Sequence, residues 1–375
     1  MDMQAWADRL VPEETALIRE LCAIPAFFGF EAARAEYISD WLRRCGGEPF
    51  IDDAGSVCLL FGADLPGGLR VYSAHMDTVF PMDTALTITE TETRLCAPGV
   101  GDDTANVAAL MLLARHWLET GVKPACPVLM AWNTGEEGLG NLRGVREICR
   151  VYGSRMAQLI TFDGTYRRVV DRAVGSLRWQ VSVRTEGGHS YAAFGNRNAI
   201  HQAAELIHAL YLMRVPAEEH TKTTYNVGTI TGGHSVNSIA EDAAFTFECR
   251  SDRQDCLDAM RGMFEGILAG YRAMGWDIGV TVLGERPCMG AVDPERHEAL
   301  LAACEADIAA VTGEQPTRGS SSTDANIPLS LGIPATSFGL YIGGQSHTIA
   351  EWLDKGTLAA GLRIGLRVTG RAFEA

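Results

Sequence analysis

Five short clusters of histidine and carboxylate residues carry the chemistry this sequence could perform. They are Ala74-His75-Met76-Asp77-Thr78-Val79, Gly99-Val100-Gly101-Asp102-Asp103-Thr104, Thr134-Gly135-Glu136-Glu137-Gly138, Phe162-Asp163-Gly164 and Gln345-Ser346-His347-Thr348. Two histidines, several carboxylates and no CxxC pair suit zinc, or manganese or cobalt, in an open catalytic site. His75 and Asp77 stand two apart on an extended segment, so their side chains leave on the same side. Asp77 can then accept the second ring N–H of His75 and fix its tautomer. Glu136-Glu137 offers two carboxylates for two tasks: one holds a cation while Glu136 stays free to move protons.

Each cluster alone has a plainer explanation. An HxD or EE pair is usually a surface feature, Asp-Asp-Thr can cap a helix, and an aspartate after a strand is commonly a turn residue. The ordered combination, with glycine beside three of the clusters, points to chemistry. Three clusters follow a predicted strand, and in open α/β sheets ligands gather beyond the carboxyl ends of strands. Residues distant in sequence can therefore meet.

The elements that must position them follow from hydrophobic periodicity. A helix is predicted around Tyr37–Cys45, ended by Gly46-Gly47, and a second over Val107–Leu118. Leu69–Ala74, Val128–Trp132 and Leu159–Phe162 read as strands, so strands and helices alternate as in an α/β sheet. The texture changes near Gly175, where Leu177, Trp179, Val181 and Val183 alternate as in a sheet with one open face. A helix, two alternating strands, a second helix and a last strand follow, the β-α-β-β-α-β order of ferredoxin-like folds. The α/β character then returns. The expected architecture is a discontinuous α/β catalytic domain, 1–174 and 286–375, with an inserted α+β lid, 175–285.

Composition narrows the function. Forty-seven acids against 32 bases give a net charge of −15, which repels phosphate backbones and anionic lipid, so neither nucleic acid nor membrane is an expected partner. The N-terminal stretch lacks a signal-peptide pattern and no run is long enough to span a bilayer. The ten cysteines sit mostly among apolar neighbours and read as reduced core residues of a cytoplasmic protein. His116, His201, His208, His220 and His297 lack a motif and read as structural or solvent-facing.

The clusters resemble the zinc exopeptidase and deacylase family that includes glutamate carboxypeptidase, aminoacylase, succinyl-diaminopimelate desuccinylase and peptidase T. The likeness covers essentially the whole chain. It implies a mixed-sheet catalytic domain with a ferredoxin-like lid through which the protein forms a homodimer. It also implies two divalent metals bridged by Asp102, one completed by His75 and Asp163, the other by Glu137 and His347. Glu136 would then be general base and acid, Asp77 would orient His75, and Asp102-Asp103 is a candidate cis peptide. In the lid, Gly187-Gly188-His189-Ser190 resembles the segment whose histidine reaches a neighbouring subunit's site and stabilises the oxyanion. Gly232-Gly233-His234-Ser235-Val236-Asn237 and Arg250 resemble substrate-binding positions, with Arg250 forking a carboxylate or else forming a strand-end ion pair. Asp324, in Ser322-Thr323-Asp324, would line or support the site. Thr104 replaces a frequent family lysine, and Ala74 a frequent glycine.

The implied reaction is hydrolysis of an amide bond in a small peptide, as by an aminopeptidase or dipeptidase; the wording around Glu136 favours this over deacylation of an N-acyl amino acid. A non-catalytic metal-binding relative would have lost a ligand or the base, and none is lost. A serine hydrolase or nucleotide enzyme lacks its signature: Gly319–Asp324 contains no GxSxG elbow, and neither a GxGxxG fingerprint nor a P-loop is present.

Overall fold

A computed structural model describes residues 2–216 and 221–373, so His220 lies outside the described residues. The chain divides into two compact units, one formed by residues up to Ala173 and from Gly290 onward, the other by Val174–Met289.

The first unit is built on a six-stranded mixed sheet. Its strands run in the order Phe50–Ile51, Val57–Phe61, Val128–Asn133, Leu69–His75, Met156–Thr161 and Ala335–Ser337. The last four are parallel neighbours, while the first two join them antiparallel. Val128–Asn133 is buried at every position, as expected of a strand covered on both faces. The helix Asn106–Thr120 buries most of its surface, including Leu110, Leu113 and Trp117. Trp117 stacks on Phe373 of the C-terminal helix Leu358–Phe373 at 4.4 Å and donates its indole N–H to Thr369 Oγ1 at 3.0 Å. The amphipathic N-terminal helix Met3–Cys22, absent from the sequence-based elements, adds Leu10, Leu17, Ile18 and Leu21 to the same core.

The second unit is a four-stranded antiparallel sheet in the order Thr223–Gly232, Asp242–Ser251, Gly175–Arg184, Asp277–Arg286. Numbered along the chain this is 2-3-1-4, the ferredoxin-like arrangement. Leu177, Trp179, Val181 and Val183 face the helices Ala199–Tyr211 and Gln254–Ala273, and Trp179 stacks on Phe264 at 4.2 Å. Their alternate neighbours stay more open, which is the origin of the period-two pattern.

None of the ten cysteines forms a disulfide. Among the described residues no helix is long and apolar enough to cross a membrane.

One core position breaks the pattern. Glu14 is fully buried on the N-terminal helix and neither carboxylate oxygen has a hydrogen-bond partner. Burial raises its pKa well above the ordinary glutamate value, so the folded state holds the proton more tightly than the unfolded chain. Stability attached to this residue is then intact below the ordinary value and falls as pH rises. Glu14→Met should raise the melting temperature by ~2–5 °C at pH 8 and by less at pH 4.5, as read by scanning calorimetry. An equal shift at both values would show that ionisation is not involved.

Candidate metal centre

Register brings the chemical residues to one edge of the first unit's sheet. His75 pairs with Asn133, and Ser73 with Thr161, so three parallel strands end nearly level. The segments leaving them carry Asp77, Glu136-Glu137 and Asp163. Asp102 and Asp103, joined by a cis peptide bond, lie in the turn Val100–Ala105 that enters the helix from Asn106. His347 comes from the C-terminal part of the chain, in a left-handed backbone conformation with φ 65°.

Asp102 is the centre of the arrangement. Its Oδ1 lies 3.2 Å from His75 Nε2 and its Oδ2 lies 3.2 Å from His347 Nε2, which is also 3.0 Å from Glu137 Oε1. Donor atoms fall into three groups, each within a 4.8 Å span: His75, Asp102, Asp103 and Asp163; His75, Glu136 and Glu137; Asp102, Glu137 and His347. His75, Asp102, Glu137, Asp163 and His347 therefore converge. Asp103 is close but already engaged: its Oδ2 accepts the His75 N–H at 3.0 Å and its Oδ1 an Asn106 side-chain N–H at 2.5 Å.

The electrostatics are those of an acid cluster that needs positive charge. Burial, reinforced by the charge of Asp102, raises the pKa of Asp163 well above the usual aspartate range. Burial also pushes Glu137 up to about 7, with Asp102 and Glu136 adding to the shift and His347 opposing it. Hydrogen bonds to Asp102 and Glu137 push His347 up to about 11. Burial opposes a charged His75, but Asp103, Asp102 and Asp77 outweigh it and its pKa is raised. For Asp102 burial is outweighed by the two imidazoles, and its pKa is lowered. Carboxylate and imidazole donors packed this closely, with one carboxylate facing both rings, fit divalent cations of the zinc, manganese or cobalt type.

The sequence profile of peptidase family M20/M25/M40 matches residues 71–371. The chain belongs to this family. In solved structures, the M20 chain is similar to aminopeptidase PepT from Bacillus cereus ATCC 10987, with a TM-score of 0.70, 22% identity and coverage of 96% of this chain and 97% of that one. It is also similar to the Bacillus subtilis YXEP protein, described as a dinuclear metal binding peptidase from the M20 family, with a TM-score of 0.65, 16% identity and coverage of 98% and 99%. Acetylornithine deacetylase of Myxococcus xanthus is 29% identical over 220 residues, 54% of this chain and 56% of that protein. The chain spans about half the length of the curated relatives it matches.

Within this M20 chain the remaining expected residues differ in placement. Asp77 is buried beside His75, but the ring Nδ1 is 3.1 Å from the Asp77 main-chain carbonyl and 3.6 Å from its carboxylate. The ring N–H is within hydrogen-bond reach of the carbonyl, while the carboxylate lies just beyond it. The carboxylate instead accepts the N–H groups of Glu136 at 3.1 Å and Glu137 at 2.7 Å. Asp324 has zero exposure, accepts from Asn133 Nδ2 at 2.6 Å and is pushed up to about 7 by burial and then Glu136. Its carboxylate lies against the end of the Asn133 strand, out of contact with solvent.

His189, Asn237 and Arg250 belong to the second unit. His189 is exposed, and its Nδ1 lies 3.3 Å from the N–H groups of Tyr191 and Ala192. Asn237 is exposed and its side-chain oxygen accepts from Ser235. Arg250 pairs with Glu248 through bonds of 2.7 and 3.0 Å, the ion-pair alternative seen in the sequence. Of the histidines without a motif, His116 packs edge-on to Trp6, and His297 is buried against the Asp171 carbonyl at 3.0 Å.

Several supporting residues escaped sequence reasoning. Glu31 is buried, accepts the Gly135 N–H at 3.1 Å and pairs with Arg143 at 2.7 Å. Arg34 is buried and donates to the carbonyls of Ile24 and Met76 and to Thr104 Oγ1. Asn106 Oδ1 accepts the Leu340 N–H at 2.7 Å, linking the Asp103 turn to the last part of the chain. Glu351 accepts three N–H groups from Gly99–Asp102. Its only sequence signal is its place four residues after His347.

Burial raises the Asp77 pKa, yet His75 and the two backbone N–H groups outweigh it and the net shift is downward. A depressed value means stability present above the unfolded pKa and lost as pH falls through the folded one. Asp77→Asn should lower the melting temperature of chelator-treated protein by ~2–6 °C at pH 7, with the gap to wild type narrowing on acidification. A gap that widens in acid would contradict the assignment.

Proposed function

We propose that this M20 chain is a metallohydrolase that uses two divalent ions, zinc first among them, to cleave an amide bond at the end of a small peptide, as an aminopeptidase or dipeptidase does. One observation carries the reading: the two oxygens of Asp102 each face a different imidazole, so one carboxylate can be shared between two cations. His75 and Asp163 complete one side, Glu137 and His347 the other. Bound there, the metals supply Lewis acidity toward a carbonyl oxygen and toward water.

The chain's own residues divide the remaining work. Glu136 has its main chain fixed by Asp77 and its side chain grouped with His75 and Glu137. It takes the proton from the attacking water and delivers it to the leaving amine. Asp77 keeps the His75 ring oriented through its carbonyl. His189, with Asn237 and Arg250, serves the substrate from the second unit: His189 donates to the developing oxyanion, and the other two hold the polar end of the substrate. On this reading the inserted unit is a lid and the surface of a homodimer, with His189 acting on a neighbouring subunit's site. Its edge strand Thr223–Gly232 and the exposed Tyr211 and Leu212 support such pairing. The reduced cysteines agree with a cytoplasmic setting.

The acetylornithine deacetylase similarity favours a second reading, hydrolysis of an N-acyl amino acid at the same site. A panel of di- and tripeptides and N-acetyl amino acids, run on zinc-, manganese- and cobalt-loaded protein with product identification, separates the two. Glu136→Gln should lower kcat by at least ~10³-fold while metal content stays at the wild-type level. Undiminished turnover in that variant would remove Glu136 from the mechanism, and activity unaffected by a chelator would remove the metals.

A further inference from the structure

We infer that Glu351 is a positioning residue of the metal centre, locking the main chain of Asp102 so that its two oxygens stay divided between His75 and His347. The inference rests on the metal-binding reading of the site and concerns a residue that binds neither metal nor substrate.

The carboxylate of Glu351 is buried, with the residue 1% exposed. Its Oε1 accepts the N–H groups of Gly101 at 3.0 Å and Asp102 at 2.7 Å, and its Oε2 accepts that of Gly99 at 3.0 Å. The main-chain carbonyl of Glu351 accepts the Ala97 N–H at 3.2 Å. One residue thus grips the strap 97–102 at four points. Two successive turns, Gln345 to Thr348 and Thr348 to Glu351, connect it to His347. The segment that delivers one imidazole therefore also fixes the carboxylate that the imidazole faces.

The strap cannot relax away from this grip. A Cβ at Gly101 would collide with the ring and hydroxyl of buried Tyr341, so the strap is confined between Tyr341 and Glu351. A carboxylate accepting several N–H groups is held in one orientation, and displacing its partners leaves buried donors unpaired. Residues behind metal ligands set ligand orientation, and their loss typically weakens metal affinity by roughly 10–100-fold.

Charge and shape can be separated. In Glu351→Gln one oxygen could still accept from Gly101 and Asp102, but the amide nitrogen would face the Gly99 N–H, donor against donor. Glu351→Ala removes every side-chain bond. Gly101→Ala keeps the carboxylate and pushes the strap from the Tyr341 side.

The test measures zinc affinity at 20 °C by competition with a chromophoric chelator. The same wild-type and variant proteins give kcat and KM when metal-loaded and melting temperature when metal-free. Expected are a loss of zinc affinity of at least ~10-fold in Glu351→Ala, a smaller loss in Glu351→Gln and a loss in Gly101→Ala. At matched zinc occupancy kcat should fall further than KM changes, with glutamine partly restoring it. A lower melting temperature with wild-type zinc affinity and kcat in folded Glu351→Gln and Gly101→Ala would overturn the positioning role. If Glu351→Ala does not fold, those two variants decide the matter. Wild-type protein that binds no divalent metal would instead refute the metal-centre reading itself.

Discussion

The structure of the first unit depends on buried carboxylates that hold backbone N–H groups. Asp77 fixes Glu136 and Glu137, Glu31 fixes Gly135, Asp103 fixes His75, and Glu351 fixes Gly99, Gly101 and Asp102. Apart from the strand end at His75, these segments leave the sheet or form the turn before a helix, where backbone N–H groups lack ladder partners. A carboxylate can accept several N–H groups at once and is stronger in that role than a neutral acceptor. The segments are thereby fixed without crowding the face that carries the metal-type donors.

The cost is concentrated negative charge out of water. Asp102, Glu137 and Asp163 crowd the centre, while Asp103, Asp324 and Glu351 lie behind it. Burial raises the pKa of Asp163, Glu137, Asp103, Asp324 and Glu351. Two imidazoles offset part of this at Asp102. A divalent cation bound there would offset it more fully, because it would bring two positive charges within contact distance of several ligands. The sheet tolerates the arrangement because the acids lie beyond its strands, while Val71, Leu129, Met130 and Leu159 within the strands are apolar and fully buried.

The second unit follows a different physical rule. Its sheet is antiparallel and covered by helices on one face, so alternate residues need not be apolar. The open face carries Arg178, Glu248 and Arg250 as an ion-paired cluster. The apolar side is joined by the stacked rings of Trp179, Phe247 and Phe264.

Periodicity made most of the fold legible. The alternation at Leu177–Val183 and the helical spacing at Val107–Leu118 reflect which faces meet a core, and that is a local property of the chain. The candidate donor residues were legible too, because the clusters recur in one ordered combination that the plainer explanation of each cluster alone does not account for. The N-terminal helix escaped because Glu14 interrupts its apolar face. Register and the meeting of distant segments escaped because they are not local. Spacing placed the Asp77 carboxylate on His75, yet a small difference in reach gives the ring to the carbonyl and the carboxylate to Glu136 and Glu137. Glu351 looks like an ordinary polar residue in sequence, and only its burial and its three N–H partners set it apart. The sequence by itself determined which residue types and periodicities were available; the tertiary structure decided which oxygen meets which hydrogen, because hydrogen bonds are set by tenths of an ångström between segments that only folding brings together.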